Sequence, residues 1–248
     1  MDRARISAIR HGDLPFHNPL DARRVDEVLA LIRLEPGDRA LDVGCGPGEL
    51  LIRIAERTGA GGVGIDSAGI QIEEARRRAA ERVPGAALDF RVGDATELDE
   101  ESGSFGLTAC VGSTHALGGL EPTLHRLAEL TRRDGFVLVG DGYWRTDPSE
   151  QYLQALGATR DELTDYGGLA RAGSAAGLTL VYATVTSDDE WDRYEWGLTF
   201  NGDRHAREHP EEPYADDLRA WGARARDRYL APGGRDTLGF ALLLFRRD

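Results

Sequence analysis

Lysine is absent from this chain of 248 residues, and all 30 of its strongly basic side chains are arginine. We attribute that to codon bias in a GC-rich genome and read no chemistry into it. Cysteine is nearly as scarce. The two present, Cys45 and Cys110, sit in Gly-rich or apolar segments, not in a spaced framework, which argues against a disulfide scaffold. No apolar run is long enough to span a membrane. The longest, Phe240-Ala-Leu-Leu-Leu-Phe245, has the length of a buried strand. The opening MDRARISAIRHGDLPFHNPL lacks the apolar core and small-residue cleavage site of a signal peptide, so a cytoplasmic location is expected. Positive charge is also in deficit: 43 acidic residues leave a formal charge of −13. Binding a phosphate backbone depends on a positive surface field, so DNA and RNA are poor candidate partners. The densest basic cluster, Arg76-Arg77-Arg78, is flanked by Glu73, Glu74 and Glu81 at helical spacing and reads as a solvated helix face.

The apolar fraction of 41% suffices for a sizeable core, and the length fits one α/β domain with insertions or a small cap. From about residue 38 to 140, short β-branched or apolar runs alternate with helical patterns. Arg39–Val43, Gly62–Asp66, Ala87–Val92, Phe105–Val111 and Gly135–Val139 read as strands. Helices are expected at Glu49–Thr58, Ile70–Arg82 and Glu121–Arg132. Two further strands, Leu178–Val185 and Leu238–Arg246, bring the count to seven. The rhythm predicts a doubly wound, mostly parallel sheet with helices on both faces and strand C-termini along one ligand-binding edge. Outside it lie an N-terminal segment, 1–35, with a helix at Asp21–Leu34, and a mostly helical stretch at 141–177. The main domain is drawn as 36–248. Within it, 188–235 is rich in acids, aromatics and prolines, and an excursion of roughly 50 residues is far longer than an ordinary connection. It is expected to be a helical substrate cap.

The strongest signal is Ala40-Leu-Asp-Val-Gly-Cys-Gly-Pro-Gly-Glu-Leu50: an apolar strand, then Gly44, Gly46 and Gly48, then a helix. Glycines there let the backbone turn sharply and approach a ligand, and the helix N-terminus adds free N–H groups. A dinucleotide fingerprint reads G-x-G-x-x-G, whereas these glycines read G-x-G-x-G with Asp42 two positions before the first. A carboxylate so near a phosphate is repulsive, but it suits an ammonium or sulfonium group. Asp66 ends the second strand, placed for ribose hydroxyls, and Asp94 follows the third, at the adenine end of such a crevice.

With its LDVGCGPG loop, GIDSAG…EEAR and VGDATEL, the sequence resembles the class I S-adenosylmethionine (SAM)-dependent methyltransferases over residues 36–140, particularly the small-molecule branch that includes the ubiquinone-biosynthesis type. The resemblance implies a Rossmann-like domain, SAM as cofactor and S-adenosylhomocysteine (SAH) as product. It assigns the cofactor to Asp42, Gly44, Cys45, Gly46, Gly48, Asp66, Ser67, Asp94, Ala95 and Cys110. Ser67 departs from the pattern, since a bulky apolar residue usually follows the ribose acid; Phe105-Gly106 and Arg133-Asp134-Gly135 depart at turns.

The acceptor, a small molecule, is expected beyond strand four. His115 aligns with a histidine often found there in the resembling family, which makes it the first candidate for a base or substrate contact. After strand five, Asp141 is read as orienting substrate or capping a helix. Tyr143 and Trp144 are read as an aromatic wall or ordinary packing. His11, Phe16 and His17 resemble the segment that often folds over SAM in this class. Trp191, Tyr194, Trp196 and Phe200 belong to the expected cap. His205 and His209 stand four apart without a completing set, so no metal is expected. Two other readings stay open: a non-catalytic SAM-binding regulator, and a nicotinamide-dependent oxidoreductase, which would need a glycine where Glu49 stands.

Overall fold

A computed structural model describes residues 3–12, 14–34 and 37–248. Among them seven strands form one sheet: β1 (Arg39–Val43), β2 (Gly61–Asp66), β3 (Leu88–Val92), β4 (Phe105–Val111), β5 (Thr131–Trp144), β6 (Leu178–Val185) and β7 (Leu238–Arg247), in the order β3-β2-β1-β4-β5-β7-β6. Neighbours from β3 to β5 pair in parallel, and β7 runs antiparallel to both β5 and β6. This is the expected doubly wound, mostly parallel sheet. Because the chain winds outward in both directions from the β1/β4 pair, a crevice opens at their C-terminal ends.

Strand alternation divides the core between two faces. Leu41, Val43 and Ile65 pack with α5 (Leu120–Leu130) and α7 (Tyr166–Ala175) through Leu124, Leu127 and Leu169. Ala40, Leu107, Leu138 and Leu242 face α2 (Ala22–Leu29), α3 (Glu49–Thr58) and α4 (Gly69–Arg82). Val25, Val28 and Leu29 therefore belong to the main core, so α2 packs as part of the sheet domain. The boundary drawn between residues 35 and 36 lies outside the described residues.

Three expected ranges are corrected. The N-terminal helix expected at Asp21–Leu34 covers only Ala22–Leu29. β5 covers 14 residues, not only Gly135–Val139, because β7 pairs with it from Phe136↔Arg246 to Trp144↔Leu238. A remote strand thus supplies hydrogen bonds to Asp141 and Gly142, whose local composition does not suggest a strand. The strand also begins at Thr131, which ends the preceding helix at Leu130 instead of Arg132. The 141–177 stretch accordingly opens in strand before α6 (Glu150–Leu156) and α7.

Residues 188–235 contain α8 (Asp188–Glu208) and α9 (Ala215–Leu230). A reciprocal capping box between Ser187 and Glu190 fixes the start of α8. Ile6 of α1 (Arg3–His11) joins Ala206, Ala215 and Leu218 in a small separate core that ties the N-terminus to this helical pair.

Candidate functional site

Gly44 continues β1 by donating to Ile65 C=O at 2.8 Å, and it stands at φ +69°. A Cβ there would come 2.3 Å from that of Ser113, so only glycine fits between the ends of β1 and β4. Gly46 at φ +51° is different, because its side-chain direction is open and the nearest atom is His17 Nδ1 at 3.9 Å. Asp66 braces the loop: its Oδ2 accepts from Gly46 N–H at 2.9 Å and its Oδ1 from Ala68 N–H at 2.9 Å. A carboxylate has about four lone-pair sites, so it can still accept from a ligand hydroxyl.

The loop borders a cavity of about 640 Å³. Asp42, Gly44, Cys45, Gly46, Asp66 and Ser67 line it, with Phe16, His17 and Asn18 from the N-terminal strap and Val111, Gly112, Ser113 and His115 beyond β4. A lobe of about 490 Å³ shares Gly44, Asp66, Ser67, Ser113 and His115 and continues to Val92, Asp94 and Ala95. Eight of the expected cofactor residues therefore come together on one surface: Asp42, Gly44, Cys45, Gly46, Asp66, Ser67, Asp94 and Ala95. Gly48 and Cys110 do not line it. Gly48 is the N-cap of α3, where a Cβ would meet Phe90 at 2.7 Å, and Cys110 is buried on the α5 side, where burial pushes its thiol far up. Both support the loop from behind.

Asp42 is buried and faces the cavity without a hydrogen-bond or ion-pair partner among the described residues. Burial, reinforced by Asp66, pushes its carboxyl from the ordinary 3.8 up to about 8. Such a group favours a cationic ligand atom, which restores its charge. The folded protein holds this proton to about pH 8, whereas the unfolded chain releases it near 3.8. The unfolded state thus binds fewer protons within that window, and this group makes stability fall as pH rises through it. In Asp42→Asn the ligand-free Tm should lose this slope. SAH binding near pH 7 should release close to one proton in the parent and none in the variant, as calorimetry in buffers of different ionisation enthalpy would show. Equal proton release in both proteins would remove Asp42 from the ligand's contacts.

Asp94 is exposed and caps the turn after β3, its Oδ1 accepting from Thr96 N–H at 2.8 Å and Thr96 Oγ1 at 2.7 Å. Those bonds hold its carboxyl below the usual range. Asp141 accepts from Thr114 Oγ1 and from Gly142 N–H, both at 2.8 Å. Burial raises its pKa, and it faces a second cleft of about 1040 Å³ instead of the first cavity. Trp144 borders that cleft too, its indole N–H donating to Arg160 C=O at 2.8 Å. Tyr143, expected beside the acceptor, is instead packed against Gly239 and Tyr166, because strand alternation turns it into the α5/α7 core. His115 borders the cavity, its lobe and the second cleft alike.

Sequence reasoning did not single out Asn18, Gln71 or Ser113, all of which line the cavity. Ser113 had a local signal, standing directly after β4; the other two arrive by packing alone. Tyr194, expected as cap packing, has its hydroxyl 3.1 Å from His11 Nε2 and donates to His17 C=O at 3.0 Å. His205 pairs with Glu212 at 2.9 Å, and no group of three metal-ligating side chains occurs among the described residues. No described helix is long and apolar enough to cross a membrane.

The donor set fits SAM. Asp42 offers an unpaired buried acceptor for a cation, Asp66 retains capacity for hydroxyls, and the backbone near Gly46 is open. Glu49, the other cavity acid, is already paired with Arg53 and Arg82, each at 2.6 Å.

Known proteins agree with this geometry. Residues 40–135 match the family described as methyltransferase domain. The Escherichia coli (strain K12) protein YjhP is 32% identical over 233 residues, 93% of each chain. A SAM-dependent methyltransferase from Geobacter sulfurreducens, solved in complex with SAH, is 30% identical with a TM-score of 0.89, the match covering 98% of each chain. Nocamycin O-methyltransferase of Saccharothrix syringae is 37% identical over 124 residues, 49% of this chain and 42% of that protein.

Proposed function

The chain belongs to the SAM-dependent methyltransferases, and from that premise we propose that its acceptor is a small neutral or cationic organic molecule presented beside His115. The observation that carries this reading is the position of His115, on the wall common to the cofactor cavity, its lobe and the second cleft. Bound SAM supplies a methyl group activated by its sulfonium. The residues of this chain do the rest. The Gly44–Gly46 loop and Asp66 seat the cofactor, Asp42 balances its positive amino end, and Phe16 and His17 cover the cavity from the strap. Alignment of the nucleophile with the methyl supplies several kcal/mol of rate enhancement. For a hydroxyl or thiol acceptor, His115 takes the departing proton.

Several observations favour a small acceptor. The second cleft has a mainly acidic rim of Glu121, Asp141, Asp161 and Glu162, relieved by Arg160, and a floor including Leu163 and Leu169. A net charge of −13 disfavours nucleic acid, and we extend this to a cytoplasmic protein without a membrane partner. α8 and α9 contribute no lining residue to the cavity, its lobe or the second cleft, and we propose that this pair holds the strap over the cofactor through Tyr194 instead of capping the acceptor. A placement in the ubiquinone-biosynthesis branch has only the cofactor motifs behind it, and those are shared across acceptor classes.

The test is transfer of labelled methyl from SAM into a soluble metabolite extract, beside a melting-temperature comparison. SAH at a hundred times its Kd should stabilise the protein by about 2.7 kcal/mol, and NAD should not. Label should appear in the small-molecule fraction. Label in nucleic acid or protein would overturn the acceptor class, and SAH binding without turnover would favour the regulatory alternative.

A further inference from the structure

One half-buried imidazole on the cavity wall has no assigned contact. His17 lies on the strap between α1 and α2, lines the cavity, and has its Nδ1 3.9 Å from the position of a Cβ on Gly46. Its ring nitrogens have no hydrogen-bond partner among the described residues. The ring is nevertheless held firmly. It stacks on His11 with centroids 3.9 Å apart and planes 15° from parallel. Its own carbonyl accepts from the Tyr194 hydroxyl of α8 at 3.0 Å. Burial, with His11 and Arg78 adding to it, pushes its pKa down to about 3, so at neutral pH the imidazole offers one N–H and one lone pair.

The surroundings decide which ligand group this ring meets. The amino-acid end of SAM carries an ammonium and a carboxylate. Asp42 claims the ammonium by charge. On the loop side the N-terminus of α3 begins at Gly48 without a side-chain cap, leaving free N–H groups that favour an anion. The one carboxylate at that terminus, Glu49, is neutralised by Arg53 and Arg82.

We propose that His17 is a cofactor-positioning residue that donates its ring N–H to the carboxylate of SAM, so that the strap closes on the cofactor it reads. This rests on SAM being the cofactor, and the two can fail separately. The experiment measures calorimetric affinities for SAH and for 5′-methylthioadenosine, which keeps the adenosine and thioether but lacks the amino-acid end. His17→Phe keeps a ring to stack on His11 and removes the donor; His17→Gln keeps an N–H donor. His17→Phe should weaken SAH about tenfold, the scale of one hydrogen bond to a charged group. It should leave 5′-methylthioadenosine unchanged, and His17→Gln should stay within roughly threefold of the parent for SAH, less than one such bond. Equal losses for both ligands would reduce His17 to shaping the strap, and unchanged SAH affinity would end the proposal. An SAH-specific loss that glutamine does not restore would overturn the donor assignment. Failure of the parent protein to bind SAH would instead strike the cofactor assignment.

Discussion

Gly46→Arg is expected to abolish SAH binding while the protein stays folded. The side-chain direction at Gly46 leads toward His17 across open space, so an arginine there would enter the volume we assign to the amino-acid end of the cofactor. Its cation would also reach toward Asp42 and compete with the ligand's ammonium. Affinity should fall at least about a hundredfold, roughly 2.7 kcal/mol. The fold has less to lose. A non-glycine residue at φ +51° costs about 1–3 kcal/mol of backbone strain, and no neighbouring core atom is displaced. In a chain of this size that lowers Tm by no more than roughly 12 °C. Calorimetry with SAH and a thermal melt check both halves, and an unchanged Kd would place the cofactor elsewhere.

His115→Ala should separate chemistry from binding. The residue sits in the short helical turn Thr114–Leu117 immediately beyond β4, and its positive form favours the ionised state of nearby Asp141. Removing a general base costs about 10²–10⁴ in turnover. We expect kcat to fall by that range once an acceptor is in hand, with SAH affinity within about threefold, because binding energy from the loop and Asp66 is untouched. A variant with parental turnover would demote His115 to packing. An equal loss of SAH affinity would make it a cofactor contact and not a base.

The contrast between Asp42 and Asp141 shows why some positions are legible in the sequence and others are not. Asp42 precedes the glycine loop on a five-residue strand, and short-range pattern alone puts it at a strand end facing the ligand edge. Asp141 also lies close to a strand end in the sequence. Yet β7 extends that strand past it to Trp144, so Asp141 and Tyr143 share a face and Tyr143 is drawn into the core. Pairing with a strand about a hundred residues later cannot be read from the residues around Tyr143. The strap tells the same story, since His11, His17 and Tyr194 meet only when α1 packs on α8.

The sequence alone determined the sheet's parallel half, the glycine turn and the three acids at successive strand ends. Those depend on side-chain period, backbone freedom and charge, which act within a few residues. Tertiary structure alone decided the antiparallel extension of β5, the burial that leaves Asp42 protonated to about pH 8, and the strap that sets His17 over Gly46. Burial and long-range pairing are properties of neighbours distant in the chain, and only folding brings those neighbours together.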